Sequence, residues 1–352
     1  MQRVLITGGA GFIGRNLIDA LGSDREITVV DSLERQVHGD DSPTWLPRGV
    51  RFLPVDVRNR QPLDVVIREA RPDVLVHLAA ETGTGQSLMR PSLHCETNVV
   101  GLSNVLEACA AVDMLPSQVV LTSSRAVYGE GAWTDSDGKV FYPEGRSAAA
   151  LDLGLWEPWS ESRPNAHPVP HRAQSQLAQP TNVYGATKLA QENVLMAWGA
   201  GLGVTTKILR LQNVYGFGQA LGNPYTGVLL NFMRKAASGL SPLVFEDGRI
   251  TRDFVHVKDV ALALVASIDR TDRLSPTDIG SGNPRTLLEI ASIVAQIMKA
   301  PAPTITGEHR AGDVRSASAD IADAKARLNW TPSWDLEVGL ETLIGDLAFL
   351  HD

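Results

Sequence analysis

Three residues of the sequence have side chains and spacing suited to proton transfer. Tyr184 and Lys188 lie four residues apart, and Ser124 ends a short apolar run. Residues four apart share one face of a helix, so the ammonium of Lys188 can lie close to the phenol of Tyr184. A nearby positive charge lowers the pKa of a phenol and makes it available as a general base near neutral pH. This spacing alone is a weak signal, so its weight depends on the elements around it.

The first fourteen residues predict a binding site for a pyrophosphate. An apolar run at residues 4–6 leads into a glycine-rich turn and then into a helical pattern. The unpaired N–H groups and the dipole of a helix N-terminus attract an anion. Two glycine registers fit: Gly8, Gly11 and Gly14 at intervals of three, or Gly9, Gly11 and Gly14 as G-x-G-x-x-G. The residues predicted to contact a dinucleotide here are Gly8, Gly11, Phe12, Ile13 and Gly14.

The next predicted strand tests this interpretation. Residues 27–30 form a β-branched run that ends in Asp31. A carboxylate at this strand end binds the ribose diol of an adenosine and repels a 2′-phosphate, so NAD is favoured over NADP. Arg35 lies shortly after Asp31, and its positive charge could weaken the preference for NAD over NADP. Without the glycine loop, Asp31 would be interpreted as a helix N-cap; together, the two features indicate dinucleotide binding.

Strand and helix patterns alternate through the first half of the chain. Further strands are predicted at residues 50–53, 74–78, 119–121 and 207–211. Such alternation predicts an α/β fold, with a Rossmann-type doubly wound parallel sheet covered by helices on both faces. The predicted catalytic serine would then lie at a strand end, and the tyrosine and lysine at a helix start.

Two strand ends are predicted to complete the cofactor site. Asp56 and Val57 follow the third strand and could face the adenine, although a loop acid without a ligand is an equal alternative. The fourth strand ends in small residues that let the cofactor approach the backbone; these are Leu78, Ala79 and Ala80. His77, within the same strand, is predicted to be a packed residue rather than a catalyst.

Composition limits the classes of partner. The chain has 352 residues, 43% hydrophobic content and a net charge of −8. That charge argues against a nucleic-acid partner, which would need a basic surface. Cys95 and Cys109 have no paired spacing, so neither a disulfide framework nor a metal site is indicated, and both are expected to pack as small apolar side chains. The sequence has neither a signal-peptide pattern nor an apolar run long enough to cross a membrane, which favours a cytoplasmic protein.

Two predicted helices are apolar around much of their circumference. They span residues 96–112 and 184–199. Helices of this kind are buried on more than one side. We therefore expect a homodimer in which these helices pair.

The motifs together resemble a known family over nearly the whole chain. Thr122–Gly129, the Tyr184 and Lys188 pair, Asn213–Gly216 and Arg252–Val260 are similar to segments of extended short-chain dehydrogenases/reductases of the NAD-dependent sugar epimerase/dehydratase family. The resemblance implies that Ser124, Tyr184 and Lys188 form the catalytic triad and that the tyrosine and lysine also contact NAD. It further implies that Asn98 supports the active site and contacts the cofactor.

The resemblance also implies where a nucleotide diphosphate sugar would bind. Asn213 and Arg252 match residues that contact the sugar diphosphate, and Arg310 with Asp313 matches a second such segment. A guanidinium fork suits a diphosphate. If Arg310 stood alone, a surface ion pair would be the better interpretation. Because Gly312 and Asp313 follow it, binding of the diphosphate is favoured instead. The predicted substrate contacts are Ser124, Arg125, Asn213, Arg252, Arg310 and Asp313.

The residues after Ser124 separate the reactions of the family. Dehydratases of the family carry Asp-Glu there, whereas this chain has Arg125 and Ala126. Oxidation at C4 followed by return of the hydride therefore fits this chain better than elimination does. This predicts an NAD-dependent nucleotide-sugar epimerase that acts through a 4-keto intermediate. Arg125 either faces the substrate or points to solvent. The subgroup resemblance is to dTDP-L-rhamnose 4-epimerase-like and UDP-glucose 4-epimerase-like sequences, so dTDP or UDP is favoured. The alternatives are a dehydratase or decarboxylase on this fold, and a non-catalytic NAD-binding regulatory protein.

An unusual insertion separates Ser124 from Tyr184. Residues 131–180 are rich in proline and tryptophan, which forbids long helices but suggests order. A lid, a substrate wall, a subunit contact and a surface excursion without a catalytic role all remain open. We expect residues 1–211 to form the NAD-binding domain and residues 212–352 a smaller α/β lobe for the nucleotide sugar, with the chain crossing between them.

Overall fold

The computed structural model describes residues 1–39, 43–159, 163, 165–219, 227–310 and 312–348. Within these ranges, none of the helices combines the length and the apolar character that a membrane span requires.

Short strands occur throughout the chain. They are β1 (Gln2–Thr7), β2 (Arg25–Asp31), β3 (Arg51–Pro54), β4 (Val74–His77), β5 (Gln118–Ser124), β6 (Trp133–Thr134), β7 (Val140–Phe141), β8 (His167–Pro168), β9 (Thr205–Leu211), β10 (Asn213–Tyr215), β11 (Leu243–Val244), β12 (Thr251–His256), β13 (Leu274–Ile279), β14 (Pro284–Thr286), β15 (Thr304–Ile305) and β16 (Ser316–Ala317).

The α-helices alternate with these strands. They are α1 (Phe12–Leu21), α2 (Arg35–His38), α3 (Arg60–Ala70), α4 (Thr84–Met89), α5 (Pro91–His94), α6 (Gly101–Ala111), α7 (Ala148–Asp152), α8 (Val183–Leu202), α9 (Val228–Ala237), α10 (Val257–Ile268), α11 (Leu287–Ile297), α12 (Ala322–Leu328) and α13 (Leu336–Ala348). A π-helical segment, Cys95–Val100, leads directly into α6.

The main sheet is parallel and covered by helices on both faces. In the described residues, seven strands follow the order β13-β9-β5-β4-β1-β2-β3, and their mutual pairings are parallel. The central strands are almost continuously apolar, as burial on both faces requires. One core packs α1 and α10 against the sheet, and the other packs α3, α6 and α8 against it. The predicted Rossmann-type α/β fold is confirmed, and each predicted strand is present within three residues of its expected bounds.

The order of the strands places the predicted catalytic groups. Ser124 is the last residue of β5, and Tyr184 lies in the first turn of α8. The direction of sheet order reverses between β1 and β4, and ligands of such sheets bind beyond the strand ends at that reversal. Both the glycine turn after β1 and the small residues after β4 lie there.

A second lobe follows β9. Strand β10 pairs with β12, which also pairs with β14 and β16. Helices α9, α11 and α13 pack around these strands in a separate apolar core. The chain nevertheless returns to the main sheet, because β13 pairs with β9 and α10 packs on α1. The division at residue 211 therefore separates segments that share one sheet, and as a domain boundary it stays a prediction.

The insertion is ordered where the structure describes it. Strands β6, β7 and β8 form a small antiparallel sheet, and α7 is a single short helix. The expectation that prolines would forbid long helices there is consistent with this arrangement.

The two cysteines differ in their surroundings. Cys109 is buried within α6, as expected, whereas Cys95 is exposed. The prediction that both pack as apolar side chains was therefore wrong for Cys95, because its turn of the π-helical segment faces outward.

Candidate active site

A cavity of about 460 Å³ lies at the reversal point of the sheet. Its walls come from the ends of β1 to β4 and from the first turn of α8. Many of its lining residues were predicted to bind the cofactor, namely Gly8, Gly11, Phe12, Ile13, Gly14, Asp31, Asp56, Val57, Leu78, Ala79, Ala80 and Tyr184. Ligand cavities in proteins typically measure about 300–1,000 Å³, so this space suits a cofactor.

The backbone of the glycine turn decides between the two registers. Gly8 has φ +70°, and a Cβ on it would lie 2.5 Å from the backbone nitrogen of Ala79. A Cβ on Gly14 would lie 2.4 Å from the carbonyl oxygen of Gly9, so α1 closes directly on the turn. Gly8, Gly11 and Gly14 line the cavity, whereas a Cβ on Gly9 would meet Val29 of β2. The spacing by threes therefore describes the pocket, and Gly9 serves packing.

Asp31 lies at the opposite wall of this cavity. Its carboxylate accepts hydrogen bonds from the backbone N–H groups of Ala10 (3.1 Å) and Leu33 (2.9 Å). The side chain is thereby fixed between the glycine turn and the segment after β2. This position is the one that the ribose contact predicted from the sequence requires.

Asp56 also lines the cavity, but its carboxylate is engaged by Arg58. The Arg58 guanidinium donates to both carboxylate oxygens at 2.5–3.0 Å. Burial raises the pKa of Asp56, yet the hydrogen bonds and charge of Arg58 outweigh it and the pKa is lowered. Asp56 can therefore contribute to an adenine wall as a fixed anion, and Arg58 is a lining residue that the sequence did not single out.

Of the three predicted catalytic residues, Tyr184 lines this cavity, whereas Ser124 and Lys188 do not. The Ser124 hydroxyl accepts a bond from the Ala126 N–H (3.2 Å) and interacts with the Tyr184 phenol, whose pKa it lowers. Tyr184 lines the cavity, whereas Lys188 is 3% exposed and lies one turn further along α8, behind that wall. The three residues predicted as the catalytic group are therefore carried by the end of β5 and by the first two turns of α8.

The electrostatics of this group differ from the expectation. Burial raises the pKa of Tyr184, and the Ser124 hydrogen bond and the charge of Arg125 offset this only in part. Burial also lowers the pKa of Lys188 to about 7, against a smaller opposing effect of Glu192. The expectation that the lysine brings the phenol pKa near neutrality was therefore wrong for the protein chain alone, because desolvation penalises both charged forms.

Asn98 supports the site from behind the cavity wall. Its side-chain oxygen accepts from the Glu81 N–H at 2.7 Å, and its amide donates to the Glu81 carbonyl and to the Thr187 hydroxyl. Thr187 lies between Tyr184 and Lys188, so Asn98 ties α8 to the loop after β4. Asn98 is fully buried and lies outside the set of residues that line the cavity. The supporting role predicted for Asn98 fits this geometry, whereas direct contact with the cofactor does not.

A buried ion pair that the sequence did not reveal connects the same elements. Glu192 accepts from Arg210 of β9 at 2.7 and 2.9 Å and from the Ser123 hydroxyl. It therefore joins α8 to β5 next to Ser124. The signal was available, since Glu192 is four residues after Lys188 and Arg210 interrupts an apolar strand, where a charge needs a partner.

A second cavity of about 620 Å³ adjoins the first. Thr84 and Gly227 line both cavities. Among the described residues, the second cavity is lined by several cations and one acid, namely Arg125, Arg234, Lys235, Arg252, Arg310 and Asp313. Such a surface favours an anionic ligand.

Four predicted substrate contacts lie in this second cavity as connected pairs. Arg125 donates from Nε to the side-chain oxygen of Asn213 at 2.8 Å, and Arg252 forms an ion pair with Asp313. Burial and the nearby Arg252 charge lower the pKa of Arg125 to about 9. Arg125 therefore lines the cavity and does not simply point to solvent.

Arg310 lies over an aromatic ring at the edge of the same cavity. Its guanidinium carbon lies 5.0 Å from the centroid of the Phe245 ring. A surface ion pair, the alternative for Arg310, is thus replaced by a cation–π contact. Ser124 lies at 9% exposure and outside the residues that line either cavity.

Comparisons with known proteins agree with this geometry. Residues 4–146 and 160–280 match the model of the NAD dependent epimerase/dehydratase family. A dTDP-L-rhamnose 4-epimerase of Burkholderia thailandensis is 42% identical over 345 residues, which cover 97% of this chain and 94% of the relative.

Two solved structures have the same fold over 99% of both chains. One is UDP-glucose 4-epimerase of Thermus thermophilus in complex with NAD, at 27% identity and a TM-score of 0.77. The other is MoeE5 in complex with UDP-glucose and NAD, at 28% identity and a TM-score of 0.77. The match to the family model covers most of the chain, so the predicted resemblance, the enzymatic nature of the protein and NAD as its cofactor are confirmed. The chain belongs to the NAD-dependent epimerase/dehydratase family.

Proposed function

We propose that this enzyme epimerises C4 of a nucleotide diphosphate hexose through a 4-keto intermediate. The observation that carries the proposal is the junction of the two cavities: Tyr184 faces the cofactor cavity, and Arg125, next to Ser124, faces the cation-lined cavity. A sugar held by its diphosphate in the second cavity would present its ring at this junction.

The first cavity fits NAD on features of this chain. Gly8 leaves the space that a Cβ would fill, the first turn of α1 contains no acidic residue, and Asp31 is held by two backbone bonds. When bound, NAD supplies the acceptor and later the donor of the C4 hydride, and a positive charge on its oxidised nicotinamide.

Each predicted catalytic residue has a defined part in this mechanism. Tyr184 takes the proton of the C4 hydroxyl and later returns it. Ser124 donates a hydrogen bond to the C4 oxygen as that oxygen becomes a ketone. Lys188 supplies positive charge near the phenol, and Glu192, one turn further along α8, favours the charged form of that lysine. The 4-keto sugar rotates in the site between the two half-reactions and presents its opposite face. Hydride therefore returns to the other face of C4.

The residues after Ser124 favour epimerisation over elimination. Arg125 is bonded to Asn213 and Ala126 has no acidic group, so neither supplies the acid and base of a dehydratase. A dehydratase or decarboxylase with acids from elsewhere is the alternative reaction. Incubation with UDP-, dTDP-, GDP- and CDP-sugars, followed by chromatography and mass measurement, separates the reactions. Epimerisation gives a product of unchanged mass, whereas loss of water or carbon dioxide would contradict the proposal.

Among the nucleotides, we favour dTDP or UDP. The 42% identity to the Burkholderia thailandensis dTDP-L-rhamnose 4-epimerase and the UDP-glucose complex of MoeE5 support these two. The same panel decides between them. An NAD-containing protein that turned over no sugar of the panel would support the regulatory alternative.

We also propose that the enzyme is a homodimer formed by α6 and α8. The solvent-exposed residues of α8 are all uncharged, and they are Ala186, Asn193, Ala197, Ala200, Gly201 and Leu202. An uncharged helix face of small side chains suits close packing against a second copy. Sedimentation at micromolar protein concentration checks this, and a monomer there would remove the dimer from the proposal.

Replacement of Tyr184 by Phe tests the chemical step. Loss of the phenol removes proton transfer, so we expect Tyr184→Phe to reduce kcat by a factor on the order of 10² or more. NAD content and thermal stability should be close to those of the wild type. Tyr142→Phe is the matched control, because it removes a hydroxyl that accepts a bond from Leu177 within the insertion. Near-normal kcat in Tyr184→Phe would overturn the assignment of the base.

A further inference from the structure

The insertion is joined to the C-terminal lobe by a buried set of charges, here called the brace. It consists of Glu130, Arg146 and Glu157 from the region of the insertion, and Glu246, Asp247 and Arg315 from the lobe. The side chains of Glu130, Arg146, Glu246 and Arg315 are only 1–4% exposed. Charges buried this deeply are retained only where their partners are fixed in place.

Arg146 is the member of the brace that comes from the middle of the insertion. Its Nε donates to Glu130 at 3.1 Å, and Nη1 donates to both carboxylate oxygens of Glu246 at 2.8 Å. Its Nη2 donates to the backbone carbonyl of Asp313 at 2.8 Å. Its Nη1 also donates to the backbone carbonyl of Trp156 at 3.0 Å, so one planar guanidinium holds four separate groups.

Arg315 is the second arginine of the brace and bonds to residues of both the lobe and the insertion. Its guanidinium is bidentate to Asp247 at 2.7 and 2.8 Å and also donates to Glu157. Its backbone N–H donates to the second oxygen of Glu130 at 2.9 Å. Asp313 and Arg315, two residues apart, are therefore both held from the side of the insertion.

The bond from Arg146 to Asp313 reaches the cation-lined cavity. Asp313 lines that cavity, and its carboxylate forms the ion pair with Arg252. None of the described residues of the insertion lines the cavity itself. The insertion therefore acts on this cavity through the backbone of Asp313.

We propose that Arg146 is a positioning residue for substrate binding, which fixes the Asp313–Arg252 pair through the carbonyl of Asp313. This inference rests on the proposed function, since it takes the cation-lined cavity as the site of the nucleotide diphosphate. It assigns the insertion a part in substrate affinity rather than in the chemical step. A lid or a direct substrate wall is not required for that part.

Replacement by lysine tests the positioning role. Arg146→Lys keeps the positive charge, but one ammonium cannot satisfy Glu130, Glu246 and the Asp313 carbonyl in their present directions. We expect the KM for the nucleotide sugar and the Kd for the free nucleotide diphosphate, UDP or dTDP, to rise about tenfold, because a misdirected guanidinium fork loses bidentate contact. The kcat and the NAD content of the purified holoenzyme should change less than about twofold, because the variant leaves the transition-state contacts intact.

The matched control is Arg163→Lys. Arg163 belongs to the same insertion and lies over the ring of Phe141, with 4.1 Å between its guanidinium carbon and the ring centroid. This variant should bind the nucleotide and turn over the sugar as the wild type does. A purely structural brace would instead lower the folded fraction of Arg146→Lys and leave KM and Kd unchanged.

A second variant covers the case in which Arg146→Lys does not fold. Glu130→Gln keeps the shape of the side chain but removes one charged acceptor of Arg146. We expect a smaller rise in KM and Kd, of several-fold. Folded variants with the KM and Kd of the wild type would overturn the inference. A wild-type holoenzyme that bound neither UDP nor dTDP in calorimetry would instead overturn the proposed function, and the inference with it.

Discussion

At the scale of single residues, the active site keeps a lysine in a place that disfavours its charge. Burial lowers the pKa of Lys188 from 10.5 to about 7. One pKa unit corresponds to about 1.4 kcal/mol, so the charged lysine destabilises the fold by an amount on the order of a few kcal/mol. The ammonium is nevertheless required near the phenol in the proposed mechanism. Stability and activity are therefore opposed at this position.

Replacement of Lys188 by Met makes this opposition measurable. Below about pH 7 the lysine is charged in both the folded and the unfolded state, and the full penalty of burial applies. Between about pH 7 and pH 10 the unfolded chain binds more protons than the folded one, so wild-type stability rises with pH. We expect nucleotide-stripped Lys188→Met to have a higher Tm than the wild type at pH 7, by a margin that shrinks as pH rises, and to be inactive.

Denaturation scans of both proteins over this pH range provide the measurement. A margin that stays constant with pH, or a variant that melts below the wild type at pH 7, would show that Lys188 is not strained by burial. Arg146 and Arg210 are unchanged in the variant, so the other buried ion pairs provide the same background in both proteins.

The sequence predicts the candidate chemical groups better than it predicts their pKa values. The four-residue spacing of Tyr184 and Lys188 and the strand end at Ser124 make these residues candidates, and the family resemblance implies that they act together as a catalytic triad. The raised pKa of Tyr184 does not follow, because its first cause is burial, which depends on the complete packing around α8. The same limit explains why the Glu192 and Arg210 pair was missed, although both residues are visible in the sequence.

At the scale of elements, α8 carries two of the predicted catalytic residues from a capped end. The Asn182 side chain accepts a bond from the Gly185 N–H at 2.8 Å, and Tyr184 lies within that first turn. Fraying of this turn would move the phenol. The cap therefore supports activity as well as helix stability.

An alanine at Asn182 separates these two effects. Loss of an N-cap typically costs about 1 kcal/mol, so in a chain of this length Asn182→Ala should lower Tm by about 1–2 °C and reduce kcat as well. Thr286→Ala is the control, because Thr286 caps α11 in a reciprocal bond with Glu289, away from the phenol. We expect the control to lose similar stability and retain its kcat. Equal kcat in both variants at a temperature where both are folded would contradict the role of the α8 cap.

Elements with a strong local pattern were predictable, and those set by distant contacts were not. An apolar helical pattern at residues 287–298 with Thr286 before it predicts a capped helix, and α11 spans Leu287–Ile297 with Thr286 as its cap. The glycine register was left open, because only the φ of Gly8 and its distance from Ala79 distinguish the two patterns. The part played by the insertion was also open, since the brace joins residues more than a hundred positions apart along the chain.

At the scale of the whole molecule, the two halves of the sequence share one sheet. Strand β13 pairs with β9 along its length, and α10 covers α1. A chain that stops after Leu211 lacks both, which leaves the apolar face of α1 and the edge of β9 uncovered. Uncovered strand edges and apolar faces favour aggregation.

A truncated chain of residues 1–211 should therefore be insoluble or fail to unfold cooperatively, although it contains all three predicted catalytic residues. Circular dichroism and thermal melting of the soluble fraction measure this. A truncation at the same position that bound NAD and melted cooperatively would establish residues 1–211 as an independent domain.

The position of β13 in the sequence also affects the order in which the main sheet can fold during synthesis. The glycine turn and Asp31 leave the ribosome before Tyr184, and β13 emerges only after the second lobe has begun. Domains generally fold as units during synthesis. Here the main sheet, which carries the cofactor cavity, is not complete until residue 279 at the end of β13. The nascent chain therefore carries a complete glycine turn on an incomplete sheet, and the cofactor can stabilise the complete sheet only after β13 has emerged.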